Sequence, residues 1–134
     1  MPVFSDPAEV DAIFVPFLTE ITSAPALKPK FVAANTSFKI VFFEPTAAYL
    51  VDCTSDPVQV TSGETASASD AAVELTMAAD DGHKFWLGDL NLMGALARRK
   101  VKPKGEVTKL MGLLPTLQKA YPIYREYATK SGLV

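Results

Sequence analysis

The sequence is poor in the side chains that most often perform chemistry in proteins. Its 134 residues include one cysteine, Cys53, and one histidine, His83. A single cysteine cannot form an internal disulfide, and one histidine with one cysteine cannot build a tetrahedral zinc site. We expect Cys53 to be a buried structural thiol at the end of a strand and His83 to lie at the surface, in a turn before a helix. No metal and no cofactor is predicted.

The common catalytic and phosphate-binding motifs are missing as well. The sequence contains no G-x-x-x-x-G-K-[ST] loop, no G-x-G-x-x-G and no G-x-S-x-G nucleophile elbow. Nucleophilic triads usually need a histidine base, and only His83 is available. We therefore predict a protein that is not an enzyme.

Long apolar runs and targeting signals are also lacking. No uninterrupted apolar segment approaches the roughly 18 residues of a membrane span. Residues 1–6 have neither the basic nor the apolar part of a signal peptide, and residues 131–134 lack an S-K-L address. Together with the lone cysteine, these features predict a cytoplasmic protein.

What is present suits one globular domain over residues 1–134. The chain is 49% hydrophobic and 21% charged, and its length is enough for one hydrophobic core. Its charge is uneven, because residues 1–97 carry 4 basic and 13 acidic side chains, whereas residues 98–134 carry 9 and 2.

Most of this basic charge lies in a short segment that we call the basic segment, Arg98, Arg99, Lys100, Lys102 and Lys104. Such a cluster attracts phosphate or an anionic membrane, or it is a solvated strand that pairs with the acidic half. Nucleic acid is disfavoured because no aromatic residue interleaves the segment and the rest of the chain is acidic.

The N-terminal region has the pattern of an amphipathic helix. Asp6-Pro7-Ala8-Glu9 combines a capping side chain, a proline at the first helical position and a capping-box glutamate. Apolar residues then recur at three and four positions as far as Ile21. Pro16 is expected to kink or divide the helix, and residues 24–29 read as a connector.

Alternation of apolar and polar residues predicts five strands. The first begins at Thr36 and forms a hairpin with the second across Glu44-Pro45-Thr46. Residues 62–72 are predicted to be a polar loop. Pro103 cannot donate to a ladder, which favours an edge position for the fifth strand or a strand that ends early. The strands are predicted at 36–43, 47–53, 58–60, 73–77 and 100–104.

Short helices are predicted around the fifth strand. Asp80 and Asp81 are expected to cap a helix over residues 84–87, which Gly88 ends. A second helix begins near Asn91, with Leu92, Met93 and Leu96 on its inner side. A helical stripe over residues 110–124 is predicted to be interrupted by Pro115 and Pro122.

Residues 88–107, GDLNLMGALARRKVKPKGEV, resemble the signature of the sterol carrier protein type-two family. That signature joins a Gly-x-Leu-Asn turn, a short helix containing methionine and aromatic residues, and a basic strand. The residues in register with it are Gly88, Leu90, Asn91, Met93, Ala95, Lys100, Lys102, Lys104 and Gly105. Arg99 departs from the family's usual glycine and Pro103 from its aliphatic residue, so we expect the last strand to pair less completely.

The resemblance covers residues 31–128, the expected core, and leaves residues 1–30 as a variable N-terminal helix and connector. It implies an α+β fold with a five-stranded, twisted, mostly antiparallel sheet and helices packed on one face. It also implies an apolar cavity between sheet and helices that takes up a sterol, fatty acid, fatty acyl-CoA or phospholipid. The basic segment would then hold a CoA phosphate or contact an anionic membrane.

Apolar residues on the strands and later helices are the candidates for lining this cavity, because lipid sites are mainly apolar and methionine adapts to irregular shapes. A stripe at helical spacing is nevertheless more often part of an ordinary core than of a cavity wall. The candidate lipid-binding residues are Phe42, Leu75, Met77, Phe85, Trp86, Leu90, Met93, Leu96, Leu113, Leu114, Leu117 and Tyr121.

Two functions from different classes remain open at this point. One is a non-catalytic carrier that holds a lipid in the cavity. The other is an accessory or interaction module whose cavity is filled by its own side chains. In that case the helix over residues 6–23 or the basic segment would dock onto a partner enzyme.

Overall fold

A mixed five-stranded sheet is the framework of the fold in the computed structural model, which describes residues 3–133. The spatial order of the strands is β3-β2-β1-β4-β5. The central pair β1 and β4 is parallel, and the other neighbours are antiparallel. The mostly antiparallel sheet expected from the sequence is confirmed. The strands are β1 (Ser37–Phe43), β2 (Ala47–Asp52), β3 (Gln59–Ser62), β4 (Val73–Ala78) and β5 (Lys102–Gly105).

Helices lie between and around these strands. The two short helices α2 and α3 were not predicted, since the sequence suggested a connector and a polar loop there. The helices are α1 (Pro7–Ser23), α2 (Lys28–Ala34), α3 (Gly63–Ala68), α4 (Ala79–Trp86), α5 (Leu92–Ala97), α6 (Val107–Lys119) and α7 (Tyr121–Lys130).

Helix α1 begins as its sequence predicts. The Asp6 carboxylate accepts a hydrogen bond of 2.9 Å from the Glu9 amide, and Pro7 occupies the start of the helix. The side chains on the apolar face of α1, from Val10 to Ile21, are buried, and the helix packs against the sheet. Pro16 is exposed and does not divide the helix, because α1 runs past it without a break to Ser23.

The two faces of the sheet follow from the alternation of side chains in β1. Phe38 and Phe42 are buried on the face that the larger helices cover, whereas Lys39 projects from the opposite face. There the Lys39 ammonium reaches the carbonyl oxygens of Ser67 (2.6 Å) and Ser69 (3.0 Å) at the end of α3. Helix α3 therefore covers part of the face opposite to the one on which α1 packs.

Strand β5 lies at the edge of the sheet, as Pro103 predicts. It pairs with β4 over four residues, and Pro103 stands opposite Leu75. Three residues before this strand, Arg99 adopts a left-handed backbone with φ of 61°. Glycine adopts this conformation without a steric penalty, which explains why a glycine would be usual at this position.

Replacing Arg99 with glycine is expected to raise the free energy of unfolding by about 0.5 kcal/mol. Relief of the left-handed strain contributes ~1 kcal/mol, and the greater freedom of glycine in the unfolded chain offsets part of it. The matched control is Arg98→Gly, where φ is −87° and no strain is relieved. Urea unfolding is expected to show Arg98→Gly as destabilised, and equal effects at the two positions would contradict the argument.

Helices α4 and α6 also differ from the sequence prediction. Helix α4 starts at Ala79, so Asp80 and Asp81 lie in its first turn rather than capping it. Asp80 instead accepts a hydrogen bond of 2.9 Å from the Val3 amide. Helix α6 runs through Pro115, and the chain breaks only at Ala120, before Pro122 in the first turn of α7.

Within residues 3–133, no single helix is long and apolar enough to cross a membrane. Helices α1 and α2 meet the length and composition criteria only when taken together, and they are bent by 88° at the break between them.

Candidate functional site

An apolar cavity of about 60 Å³ lies between the sheet and the helices that cover it. Its floor comes from β1, β2 and β4, and its walls come from α1, α2, α4, α5 and α6. Gly82 allows α4 to approach the sheet closely, because a side chain at this position would overlap the Phe42 ring. The strand residues at the floor are Phe38, Lys39, Ile40, Phe42, Val51, Val73, Leu75 and Met77.

The cavity brings together eight of the twelve candidate lipid-binding residues from the sequence. These are Phe42, Leu75, Met77, Phe85, Trp86, Leu90, Leu113 and Leu117. Leu92 is buried on the inner side of α5, as expected, but Met93 is 60% exposed, so its expected position there is wrong, and Ala95 is buried. Leu114 and Tyr121 face a neighbouring cleft together with Met93, and Leu96 lines neither space.

Several cavity residues were not among the sequence candidates. Helix α1 contributes Leu18 and Ile21, and α2 contributes Phe31. The apolar face of α1 was visible in the sequence, but nothing in it indicated that this face closes the cavity. Leu92 and Leu110 also line the cavity.

Apart from the Trp86 indole, the polar side chains of the residues at the cavity are already bonded within the protein. Thr22 donates its hydroxyl to the Leu18 carbonyl oxygen at 2.7 Å. Lys39 belongs to a floor strand, but its side chain, only 9% exposed, leaves the sheet on the opposite face, where its ammonium lies 3.3 Å from the Glu74 carboxylate. A charged group placed inside would have no partner, which is costly in an apolar environment. The cavity is therefore suited to a hydrocarbon group.

A surface cleft of about 460 Å³ adjoins the cavity. It lies between the α4–α5 connection and helices α6 and α7. Phe85, Leu90 and Leu92 line both spaces, so these three side chains separate the cleft from the cavity. The cleft is mixed in character, with Asp89, Asn91, Gln118 and Tyr121 among its lining residues.

Trp86 is the one tryptophan of the chain and lies at the cavity wall. Its ring contacts Phe17 at a centroid distance of 4.8 Å and Phe85 at 5.0 Å, both edge to face. A change in the occupation of the cavity would alter this environment directly.

His83 is buried, so the expectation that it lies at the surface is wrong. Its Nε2 lies 3.1 Å from the Leu133 carbonyl oxygen and its Nδ1 lies 2.7 Å from the Tyr124 hydroxyl. Because a carbonyl only accepts, Nε2 carries the proton and Tyr124 donates to Nδ1. Burial lowers the pKa of His83, against smaller opposing effects from the Leu133 carbonyl and nearby carboxylates. The imidazole is therefore a neutral structural group.

The neutral state of His83 predicts a pH dependence of stability. In the unfolded chain the imidazole binds a proton below about pH 6.5, whereas the folded protein resists this. The free energy of unfolding is therefore expected to fall as the pH is lowered from 7 to 5.5. Urea unfolding of the wild type and of His83→Gln checks this, because the variant loses that slope. An unchanged slope in the variant would contradict the assignment.

Cys53 is also buried, as expected. Burial and the neighbouring Asp52 raise the pKa of its thiol to about 12, so the thiol stays protonated near neutral pH. A protonated, inaccessible thiol is a poor nucleophile.

The basic segment is exposed throughout, from Arg98 at the end of α5 to Lys104 in β5. None of its five cations forms an ion pair with another side chain of residues 3–133. Lys104 stands opposite Glu74 across the β4–β5 ladder, but Glu74 is paired with Lys39. The segment is thus free to meet an external anion.

Sequence comparisons do not identify relatives of this chain. No protein-family model matches it, and no curated protein sequence is significantly similar to it.

Solved structures, in contrast, match nearly the whole fold. Sterol carrier protein 2 of Yarrowia lipolytica in its apo form is 21% identical, with a TM-score of 0.68 over 90% of this chain and 98% of that one. A UbiJ-SCP2 ubiquinone synthesis protein is 15% identical, with a TM-score of 0.60 over 90% and 95% of the two chains. Sterol carrier protein 2 of Aedes aegypti in complex with palmitate is 19% identical, with a TM-score of 0.53 over 85% and 96%.

Other sterol carrier protein 2 structures match as well. At these low identities the likeness establishes the fold. The chain is an α+β domain with the sterol carrier protein 2 fold, as the resemblance of residues 88–107 indicated.

Proposed function

We propose that this protein is a non-catalytic lipid carrier that holds the hydrocarbon part of its ligand in the apolar cavity. The observation that carries the proposal is the cavity itself, whose lining is almost entirely apolar and whose Thr22 and Lys39 side chains are already bonded within the protein. The shared fold supports it, since one protein with this fold is known in complex with palmitate. A cytoplasmic location stays a prediction from the sequence.

Lipid binding requires the cavity to expand. Its volume of about 60 Å³ is several times smaller than the ~300–1,000 Å³ of typical ligand sites. Burial of ten methylene groups would contribute about 8 kcal/mol before the costs of ordering and of opening the protein. The net affinity is therefore expected to be micromolar or weaker.

The candidate lipid-binding residues that line the cavity are proposed to contact the hydrocarbon, and the basic segment is proposed to contact anionic headgroups of a membrane during exchange. Its unpaired, exposed cations support this contact. Cosedimentation with anionic vesicles that is reversed by salt is the expected result, and equal binding to neutral vesicles would contradict it.

Titration with a long-chain lipid tests the carrier function through Trp86. Filling the cavity is expected to shift the emission of this single tryptophan and to displace a bound apolar dye. N-acetyltryptophanamide in the same lipid solution is the control. An unchanged emission together with no dye displacement would contradict the proposal.

The small cavity favours one alternative, an accessory module whose interior is filled by its own side chains. A UbiJ-SCP2 ubiquinone synthesis protein has the same fold, so the fold also occurs in a protein that is named for a biosynthetic role. In this case α1 or the basic segment would dock onto a partner enzyme. Light scattering and copurification discriminate the two functions, because a monomer that binds lipid and retains no partner would contradict the alternative.

A further inference from the structure

The cleft beside the α4–α5 connection is the best placed opening of the cavity. Phe85, Leu90 and Leu92 form the partition between the two spaces, and Leu90 lies on the connection between helices rather than within one. The groove of about 290 Å³ between α2 and α6 shares only Leu113 with the cavity. A hydrocarbon tail that passes the partition would leave its polar head in the cleft.

The cleft also contains the polar groups that the cavity lacks. Asp89, Gln118 and Tyr121 supply carboxylate, amide and phenol groups at its wall. The Asn91 carboxamide oxygen is already used, since it accepts from the Gly94 amide at 3.0 Å. Gly88 lets the connection pass close to the Tyr121 ring, because a side chain there would lie 3.2 Å from that ring.

A single charged residue lines this cleft among residues 3–133. That residue is Asp89, which carries a carboxylate. Two nearby cations do not line it: Arg125 donates to the Leu87 carbonyl oxygen at 3.3 Å, and Arg98 lies beside Gly94 on α5. A carboxylate head in the cleft would therefore face a like charge, whereas a hydroxyl or an ammonium head would not.

We propose that this cleft is the mouth of the cavity, that it holds the head of the bound lipid, and that it selects heads without negative charge. This inference rests on the proposed carrier function and narrows its ligand. The preferred ligands are lipids with an alcohol or a cationic head, rather than free fatty acids. The preference is set by Asp89 and weakens with added salt.

Three ligands with the same twelve-carbon tail test the selection. Dodecanol and dodecyltrimethylammonium are expected to bind at least about threefold more tightly than dodecanoate, as one unfavourable charge pair some 6 Å apart in water implies. Binding is measured by Trp86 emission below the micelle concentration of each ligand.

The variant Asp89→Asn isolates the carboxylate. It is expected to tighten dodecanoate by about threefold, to weaken dodecyltrimethylammonium by a similar factor and to leave dodecanol unchanged. Asp70→Asn is the matched control, because Asp70 is exposed and does not line the cleft. Equal changes in the two variants would overturn the inference.

The other outcomes are equally decisive. Tightest binding of dodecanoate, lost in Arg98→Gln, would place an anionic head beside α5 and overturn the selection. The same result with Lys30→Gln or Lys109→Gln would place the mouth at the α2–α6 groove, which those lysines line. If none of the three ligands binds, the carrier function fails, and the inference fails with it.

Discussion

Replacing Phe14 with alanine is expected to lower the free energy of unfolding by about 3–5 kcal/mol, the largest effect of any single substitution considered. Phe14 is fully buried on α1 and contacts aromatic rings from β1, β2 and α7. Its ring centroid lies 5.0 Å from Phe42, 5.7 Å from Tyr49 and 5.4 Å from Tyr124. The side chain thus joins the N-terminal helix, the sheet and the C-terminal helix.

Urea unfolding followed by circular dichroism measures this effect. The control is Phe43→Ala, because Phe43 is 44% exposed and its removal leaves no cavity. We expect the control to cost less than about 1 kcal/mol. Similar losses for the two variants would contradict the role of Phe14 as the link between α1 and the sheet.

Filling the cavity is expected to abolish lipid binding without unfolding the protein. Leu75 lies on β4 and faces the cavity. Tryptophan at this position would occupy the space that the hydrocarbon needs, so the affinity for dodecanol is expected to fall at least about tenfold, because ~1.4 kcal/mol of lost burial gives that factor. Crowding of the core is expected to cost about 1–3 kcal/mol of stability.

Retention of labelled dodecanol by the protein in spin-column gel filtration measures the affinity without relying on tryptophan emission. Leu50→Trp is the matched control, because Leu50 is half-buried on β2 and does not line the cavity. If Leu75→Trp does not fold, Leu75→Phe makes the same test with a smaller side chain. Undiminished binding in a folded Leu75 variant would show that lipid binds elsewhere.

The sheet could be predicted from the sequence because its signals are local. Alternation in β1 and β4 reproduces the buried face, and the tight interruption at Glu44-Pro45-Thr46 gives the hairpin. Pro103 alone places β5 at the edge, since it cannot donate to a ladder.

The environment of His83 could not be predicted because its partners are distant in the sequence. Its hydrogen bonds join it to Tyr124 and Leu133, 41 and 50 residues further on. In the sequence, a single histidine beside two aspartates is typical of a surface turn. In the folded protein, His83 is buried because α7 packs against α4. The same limitation applies to Asp80, whose partner is the Val3 amide.

The cavity could be predicted only in part. Residues on strands were placed correctly because one face of a strand follows from the period of two. On α5 the sequence did not show which side of the helix faces the core. Met93 was expected on the inner side but is exposed, whereas Ala95 is buried. The contribution of α1 and α2 depends on how these helices close over the sheet, which no local pattern records.

The most direct test of the carrier account is native mass spectrometry of the purified protein, followed by extraction and identification of any bound molecule. The account predicts a bound species with a hydrocarbon tail, and the apolar cavity would then be its site. Protein that is free of lipid and also refuses added dodecanol, dodecanoate and dodecyltrimethylammonium would contradict it. That result would favour the accessory module with a filled interior.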